Sequence, residues 1–273
     1  IINMLRDRGC GIIYISHKLD EIIQVSDRIM VMRDGEQVCT VEKKDTDAIR
    51  LAELMVGRGI DAGSIAEKRD LDDREIIMSI RNLEVDMPGE AVKGLDLDIR
   101  KGEIIGLGGL AGQGKIGVSN GILGLYPSDG SISYEGQQLP MNNPLAVLKR
   151  KIAFVSEDRR NVGLILSESI EENIAIGALR VNGKFLKKYG PVTQIDKKAV
   201  KDNSDRMIED FKIKCVSGKQ HVSDLSGGNQ QKVCMARALT MEPDLLFVSE
   251  PTRGIDIGAK QLLLDHLVKL NRE

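Results

Sequence analysis

Four stretches of this sequence carry residue types whose spacing could do chemistry. Gly109-Leu110-Ala111-Gly112-Gln113-Gly114-Lys115 is a glycine, four residues, a second glycine and a lysine. Such a loop can turn several backbone N–H groups toward one point while the lysine reaches the same place, which suits the phosphates of a nucleotide. Leu225-Ser226-Gly227-Gly228-Asn229-Gln230-Gln231 runs into good helix formers, with Val233, Ala236 and Leu239 on one face. A serine before two glycines leaves amides and a hydroxyl free at the head of a helix, a second place for an anion. Ser-Gly-Gly alone reads equally as an ordinary serine-capped helix. Glu250 follows the apolar Leu245–Val248 and could polarise a water molecule, and His17 follows the apolar Ile12–Ile15. Strand ends of this kind are where α/β proteins hold ligands, although a lone glutamate or histidine there is commonly structural.

Positioning these groups requires alternating strands and helices. Ile1–Arg8 reads as the end of a helix stopped by Gly9 and Gly11, Ile12–Ile15 as a buried parallel strand, and Lys18–Val25 as a helix. Asp27–Met32 reads as a strand, closed by the hairpin turn Arg33-Asp34-Gly35-Glu36. Residues 57–75, rich in glycine and charge, read as a linker. Ile76–Leu83 and Leu95–Ile99 alternate as antiparallel strands around Pro88-Gly89. Ile104–Gly108 is expected as the strand entering the glycine loop, with a helix over Ile116–Leu123 leaving it. Gly130–Gly136 reads as a turn and short strand, Ile152–Val155 as a strand, and Ser169–Ala175 as a capped helix. Asp196–Phe211 is an amphipathic helix on the spacing of Val200, Met207, Ile208 and Phe211. Pro243–Val248 completes the set as an apolar strand.

The chain has 273 residues, 41% of them hydrophobic, enough for one large core or one and a half smaller ones. A net charge of −2 provides no electrostatic case for nucleic acid as the main ligand. No apolar run approaches the roughly 20 residues that span a bilayer. Arg6-Asp7-Arg8 stands where a signal peptide would be apolar. Cys10, Cys39, Cys215 and Cys234 form no CxxC pair, which suits a reducing cytosol. Ile1 opens in mid-helix without a cap, so the sequence is expected to be a fragment of a longer protein.

In this order and context the stretches resemble the ATP-binding subunits of ABC transporters. Asn229-Gln230-Gln231 and Ser156-Glu157-Asp158-Arg159 resemble the branch that imports monosaccharides of the ribose and galactose type, with two nucleotide-binding halves in one chain. The resemblance implies an α/β fold: a P-loop NTPase with a three-layer core, a mainly parallel sheet, an antiparallel β subdomain and a helical subdomain at about residues 160–225. Residues 1–56 would be the tail of the first half, 57–75 the linker, and 76–273 most of the second half. It assigns Gly109, Gly112, Gln113, Gly114, Lys115 and Ile116 to nucleotide binding, with Glu157 at the position of the family's glutamine loop. Glu250 and His17, the switch histidine, would be catalytic. Ser226, Gly227, Gly228 and Gln230 would be the signature that faces the nucleotide of the partner half, and Asp256 would lie in the D-loop. The implied cofactors are ATP and, at a competent site, Mg²⁺. The implied partners are integral-membrane permease subunits and an extracellular or periplasmic sugar-binding protein, with no nucleic acid. The place of work would be the cytoplasmic face of the membrane, as a peripheral subunit.

The departures from the family pattern matter as much. Ile116 stands where a serine or threonine hydroxyl should hold Mg²⁺, and Ser249 where an aspartate should order it; an alkyl group cannot ligate a hard cation. No aromatic residue between Ile76 and Ile99 is available to stack on adenine. Because the glycine loop of one half faces the signature of the other, this half is expected to have a degenerate site of its own and to lend an intact signature to its partner, with His17 in that competent site. The alternatives are a non-transport ABC ATPase acting on ribosomes or nucleic acid, and a regulatory module that binds nucleotide without hydrolysing it. The half-sheet ending at Glu273 lacks two strands, so Ile12–Ile15 is expected to fill the gap between Ile104–Leu107 and Leu245–Val248, bringing His17 beside Glu250.

Overall fold

The computed structural model describes residues 1–16, 18–33, 35–57, 73–252 and 257–272. They belong to two units, Ile1–Lys68 with Ile255–Asp265, and Arg69–Gly254 with His266–Glu273.

In the first unit, helix α1 (Ile2–Asp7) ends at Gly9, whose φ of +81° side chains rarely adopt. Helix α2 (Leu19–Val25) leads to strands β1 (Arg28–Arg33) and β2 (Glu36–Glu42), an antiparallel hairpin. Asp34, in its turn, lies outside the described residues. Helix α3 (Ala48–Val56) is capped by the Asp47 carboxylate, which accepts from the Arg50 amide at 2.7 Å. Ile29, Val31 and Leu51 form the small core of this unit, with Leu19, Ile22 and Ile23 against it. Ile12–Ile15 departs from expectation: it forms no strand and enters no described ladder, and Ile13 is 91% exposed. It therefore does not fill a gap in a parallel sheet. A parallel strand exists only through neighbours at its edges, and this run has none among the described residues.

The second unit begins with an antiparallel sheet of order β4-β3-β5-β6. Its strands are β3 (Ile76–Val85), β4 (Val92–Arg100), β5 (Ser128–Tyr134) and β6 (Gln137–Gln138). Helix α4 (Lys115–Ile122) presses Val118 and Ile122 into the same core as Met78, Ile80, Leu83, Ile132 and Tyr134. Helix α5 (Pro144–Leu148) precedes strand β7 (Ile152–Val155). The helical region holds α6 (Ile170–Asn182), the hairpin of β8 (Leu186–Tyr189) and β9 (Val192–Ile195), α7 (Lys197–Asp210) and α8 (Gly227–Thr240). Strand β10 (Leu245–Val248) runs parallel to β7, residue for residue from Leu245 opposite Ile152 to Val248 opposite Val155. Helix α9 (Ile257–Arg272) closes the chain.

The mainly parallel sheet is represented among the described residues by β7 and β10 alone. Ile104–Gly108, expected as a strand beside them, is irregular, with Ile104 61% and Leu107 47% exposed. The cause is the one that applies to Ile12–Ile15: no described strand receives its backbone. The helix starts, by contrast, follow local chemistry. The Ser169 hydroxyl accepts from the Glu172 amide at 3.2 Å, while the Glu172 carboxylate accepts from the Ser169 amide at 3.1 Å, a reciprocal box that begins α6. Asp196 caps α7 through the Ala199 amide at 3.2 Å.

Replacing Ser169 by alanine frees the Glu172 amide and removes the hydroxyl's own bond to the Glu172 carboxylate, and should lower stability by about 1–2 kcal/mol. Urea unfolding of Ser169→Ala against Ser169→Thr measures it; equal loss in both variants would show that the box contributes nothing.

Candidate functional site

Glycine makes the loop ahead of α4 possible. Gly112 and Gly114 sit at φ of +79° and +85°, where a side chain would be strained. Gly114 is also the N-cap of α4, and no side chain of its own can satisfy the first-turn amides. Their acceptor comes from the turn between β3 and β4. The amides of Gly112 and Gly114 each donate to one carboxylate oxygen of Glu90, both at 2.8 Å. Glu90 is only 9% exposed. The Gly112 amide foremost, with the amides of Gly114 and Ile116 and the charge of Lys115, holds its carboxyl below the ordinary value of 4.5 against the opposing effect of burial. The turn lies hard against the loop. A Cβ on Gly114 would stand 2.6 Å from the Ala91 carbonyl oxygen, and one on Gly117 would collide with that of Glu90.

Glu90 stands in no motif, and sequence reasoning passed over it. The only signal available was its place: a carboxylate in the short turn 86–91, which an antiparallel pairing of β3 and β4 brings back toward the loop.

Lys115, the first residue of α4, pairs with Glu250, its Nζ 3.1 Å from Oε1. Glu250 follows β10 with a φ of +43°, a left-handed conformation that costs a non-glycine residue roughly 1–3 kcal/mol. The two side chains keep 24% and 36% of their exposure, so solvent screens the pair. Beside it, the Ser249 and Ser119 hydroxyls lie 3.0 Å apart, both residues buried. Ser119 also reaches the Ile116 carbonyl at 3.2 Å. The Ser249 amide donates to the Val155 carbonyl at 2.9 Å, which fixes this corner to β7.

These residues fit an anion and do not fit Mg²⁺. The amides of Gly112 and Gly114 converge on the Glu90 carboxylate, and the Lys115 ammonium, paired with Glu250, adds positive charge nearby. Where a cation would need hard oxygen ligands, the chain offers the alkyl group of Ile116 and two neutral hydroxyls spent on each other.

The signature stretch is built separately. The Ser226 hydroxyl caps α8 by accepting from the Asn229 amide at 3.4 Å and its side-chain nitrogen at 3.0 Å. Ser226 is exposed, and Gly227 and Gly228 are half-buried. Gln230 is 3% exposed, and its side-chain amide donates to the Val222 carbonyl at 3.1 Å. Glu157 follows β7, half-buried, and accepts from the Ser156 hydroxyl at 3.5 Å. Gly109 and Gln113 are exposed. Among the described residues, no hydrogen bond or ion pair joins Glu157 or residues 226–230 to the glycine loop. His17 and Asp256 lie outside the described residues.

Comparison with known proteins bears on what such a loop, strand-end glutamate and serine-capped helix make together. The family model described as ABC transporter matches residues 92–253, more than half of the chain. The chain belongs to the ABC transporter family. Among relatives, it is 38% identical over 261 residues to the "Putative ribose/galactose/methyl galactoside import ATP-binding protein 2" of Burkholderia cenocepacia (strain HI2424), covering 95% of this chain and 49% of that protein. It is 36% identical over 271 residues to the "Ribose import ATP-binding protein RbsA" of Clostridium perfringens (strain 13 / Type A), covering 99% of this chain and 52% of that one. The chain thus spans about half the length of the curated relatives it matches. Among solved structures, the dimeric ATP-binding cassette MJ0796 in a post-hydrolysis state with ADP and Pi superimposes with a TM-score of 0.58 at 23% identity, over 71% of this chain and 82% of that one. The P-loop NTPase fold of an ABC ATPase is therefore established for this member of the family.

Because Glu90 has a lowered carboxyl in the fold, its contribution is complete above 4.5 and is lost as pH falls through the folded value below that. Glu90→Gln should cost about 1–3 kcal/mol at neutral pH. The urea midpoint of the variant should also fall less steeply than that of the parent as acid is added. Parallel acid profiles would refute the assignment.

Proposed function

We propose that this chain is part of the ATP-binding subunit of an ABC importer that couples ATP binding and hydrolysis to the uptake of a simple sugar. The relatives' printed names support the sugar cargo. The observation that carries nucleotide binding is the anion cradle itself, two amides converging on one carboxylate with the positive charge of Lys115 nearby. Residues 1–56 act as the tail of a first nucleotide-binding half, and 76–273 as the body of a second, joined through 57–75. The subunit works at the cytoplasmic face of the membrane against permease subunits, which receive sugar from a binding protein on the other side. Among the described residues no helix is long and apolar enough to cross a membrane, so the membrane path belongs to those partners.

Within this half the roles follow from the chemistry on hand. The Gly112 and Gly114 amides donate to phosphate oxygens, with Gly109 and Gln113 completing the loop, and Lys115 neutralises charge at the same place. Glu250, whose carboxylate pairs with the lysine, is placed to polarise water. ATP, when bound, supplies the phosphoanhydride whose cleavage drives the cycle. With Ile116 and Ser249 in place of metal ligands, hydrolysis here is slowed by about 10³-fold or more, the effect of losing several kcal/mol of charge stabilisation. This half therefore acts mainly by lending Ser226, Gly227 and Gly228 to the nucleotide of its partner half, where His17 and Mg²⁺ also serve. The buried Ser119–Ser249 pair favours a second reading, in which this half binds nucleotide and never hydrolyses it.

In the transporter that contains this chain, Gly228→Trp should reduce ATPase activity and the uptake of labelled ribose or galactose by roughly 10³-fold, since a bulky side chain blocks the close approach of phosphate. Lys115→Ala should cost less than about tenfold. Equal losses from the two changes would overturn the division of labour, and unchanged sugar uptake in Gly228→Trp would overturn the importer reading.

A further inference from the structure

The acceptor that fills the glycine loop belongs to the protein itself. Glu90 is reached from the Met87–Glu90 turn, whose Glu90 amide donates to the Met87 carbonyl at 3.0 Å. Its two oxygens take one amide each, from Gly112 and Gly114, at 2.8 Å. Those are the donors a phosphate oxygen would need, and an N–H directed at one acceptor cannot serve a second with good geometry. The fit is not casual crowding. Gly114 and Gly117 lack the Cβ atoms that would strike the Ala91 and Glu90 carbonyls, so the loop and the turn are shaped to lie together. Gly89, just before Glu90, has a φ of +77° and open space where a Cβ would stand, which leaves room for the turn to move.

We propose that Glu90 is an intramolecular occupant of the nucleotide site: it takes the place of phosphate on the loop, and a nucleoside triphosphate binds by expelling it. The proposal rests on the reading of this loop as the nucleotide cradle. Its consequence is twofold. The empty loop is held preformed and never presents unpaired amides, and the affinity for ATP is lowered by the fraction of molecules in which the carboxylate is seated. The expelled turn joins β3 to β4, so occupancy of the loop is reported at the connection of the antiparallel sheet.

The test is ATP titration of the purified protein by calorimetry, with Glu90→Gln, Glu90→Asp, Lys115→Ala and the double variant Glu90→Gln/Lys115→Ala. Glu90→Gln, which keeps the shape and removes the charge, should bind ATP about tenfold more tightly than the parent, the change expected from losing one to two charge-assisted hydrogen bonds in the competitor. Glu90→Asp, one methylene short of reaching both amides, should fall between. Lys115→Ala should weaken binding in either background. Hydrogen exchange supplies the independent readout. Without ATP, the 112–114 amides should exchange faster in Glu90→Gln than in the parent; with ATP, the 87–91 segment of the parent should exchange faster while 112–114 stays protected. If Glu90→Gln binds ATP no better while Lys115→Ala weakens it, the loop is the nucleotide site and Glu90 is not its occupant. If Lys115→Ala leaves affinity unchanged, or no variant binds ATP, the reading of the loop falls and the proposal with it.

Discussion

Backbone N–H groups that converge on one point need an anion, and this half of the molecule is arranged around that need. The first-turn amides of α4 have no partner within the helix, and each would cost about 1–3 kcal/mol if buried without one. The helix dipole adds to the demand for negative charge. Glu90 meets it, and the position of Glu90 is set by the β3–β4 ladder, which turns the chain back at residues 86–91. Other features follow in order. The turn comes so close that residues 114 and 117 have to be glycine. Lys115, at the first position of α4, pairs with Glu250, and Glu250 meets it from a strained left-handed backbone.

At the two positions where the family pattern places metal-linked oxygen groups, this chain carries no charge. Ile116 contributes an alkyl group to a half-buried position, and Ser249 joins Ser119 in a neutral hydroxyl pair that needs no counter-ion. Burying two hydroxyls that satisfy each other is far cheaper than burying a carboxylate without its cation.

How much of this was legible beforehand depended on whether the deciding physics was local. Ser169, Asp196 and Ser226 each announce a helix because a short oxygen-bearing side chain can accept from an amide two or three residues on, and α6, α7 and α8 start there. The antiparallel strands β3 and β4 were visible in their alternation. Ile12–Ile15 and Ile104–Gly108 were misjudged for the opposite reason. Both are apolar enough to be strands, but a parallel strand is defined by neighbours far away in sequence, and hydrophobicity says nothing of whether those are present. Glu90 was the least visible. Nothing about one acidic residue in a turn reveals that it will meet a loop more than twenty positions on; only the closed β3–β4 hairpin does.

The hydroxyl pair of Ser119 and Ser249 also constrains how this sequence can change. An aspartate at position 249 would bring a second carboxylate close to Glu250, and the two would compete for Lys115 while Ile116 offers no metal ligand beside them. A serine or threonine at 116 alone would add a hydroxyl with no metal-ordering partner. Each step toward a metal site is neutral or harmful until the other is in place, so the two positions are coupled and their effects do not add. The corner therefore resists single substitutions: the two positions can be exchanged for metal-ligating residues only together or by way of a destabilised intermediate.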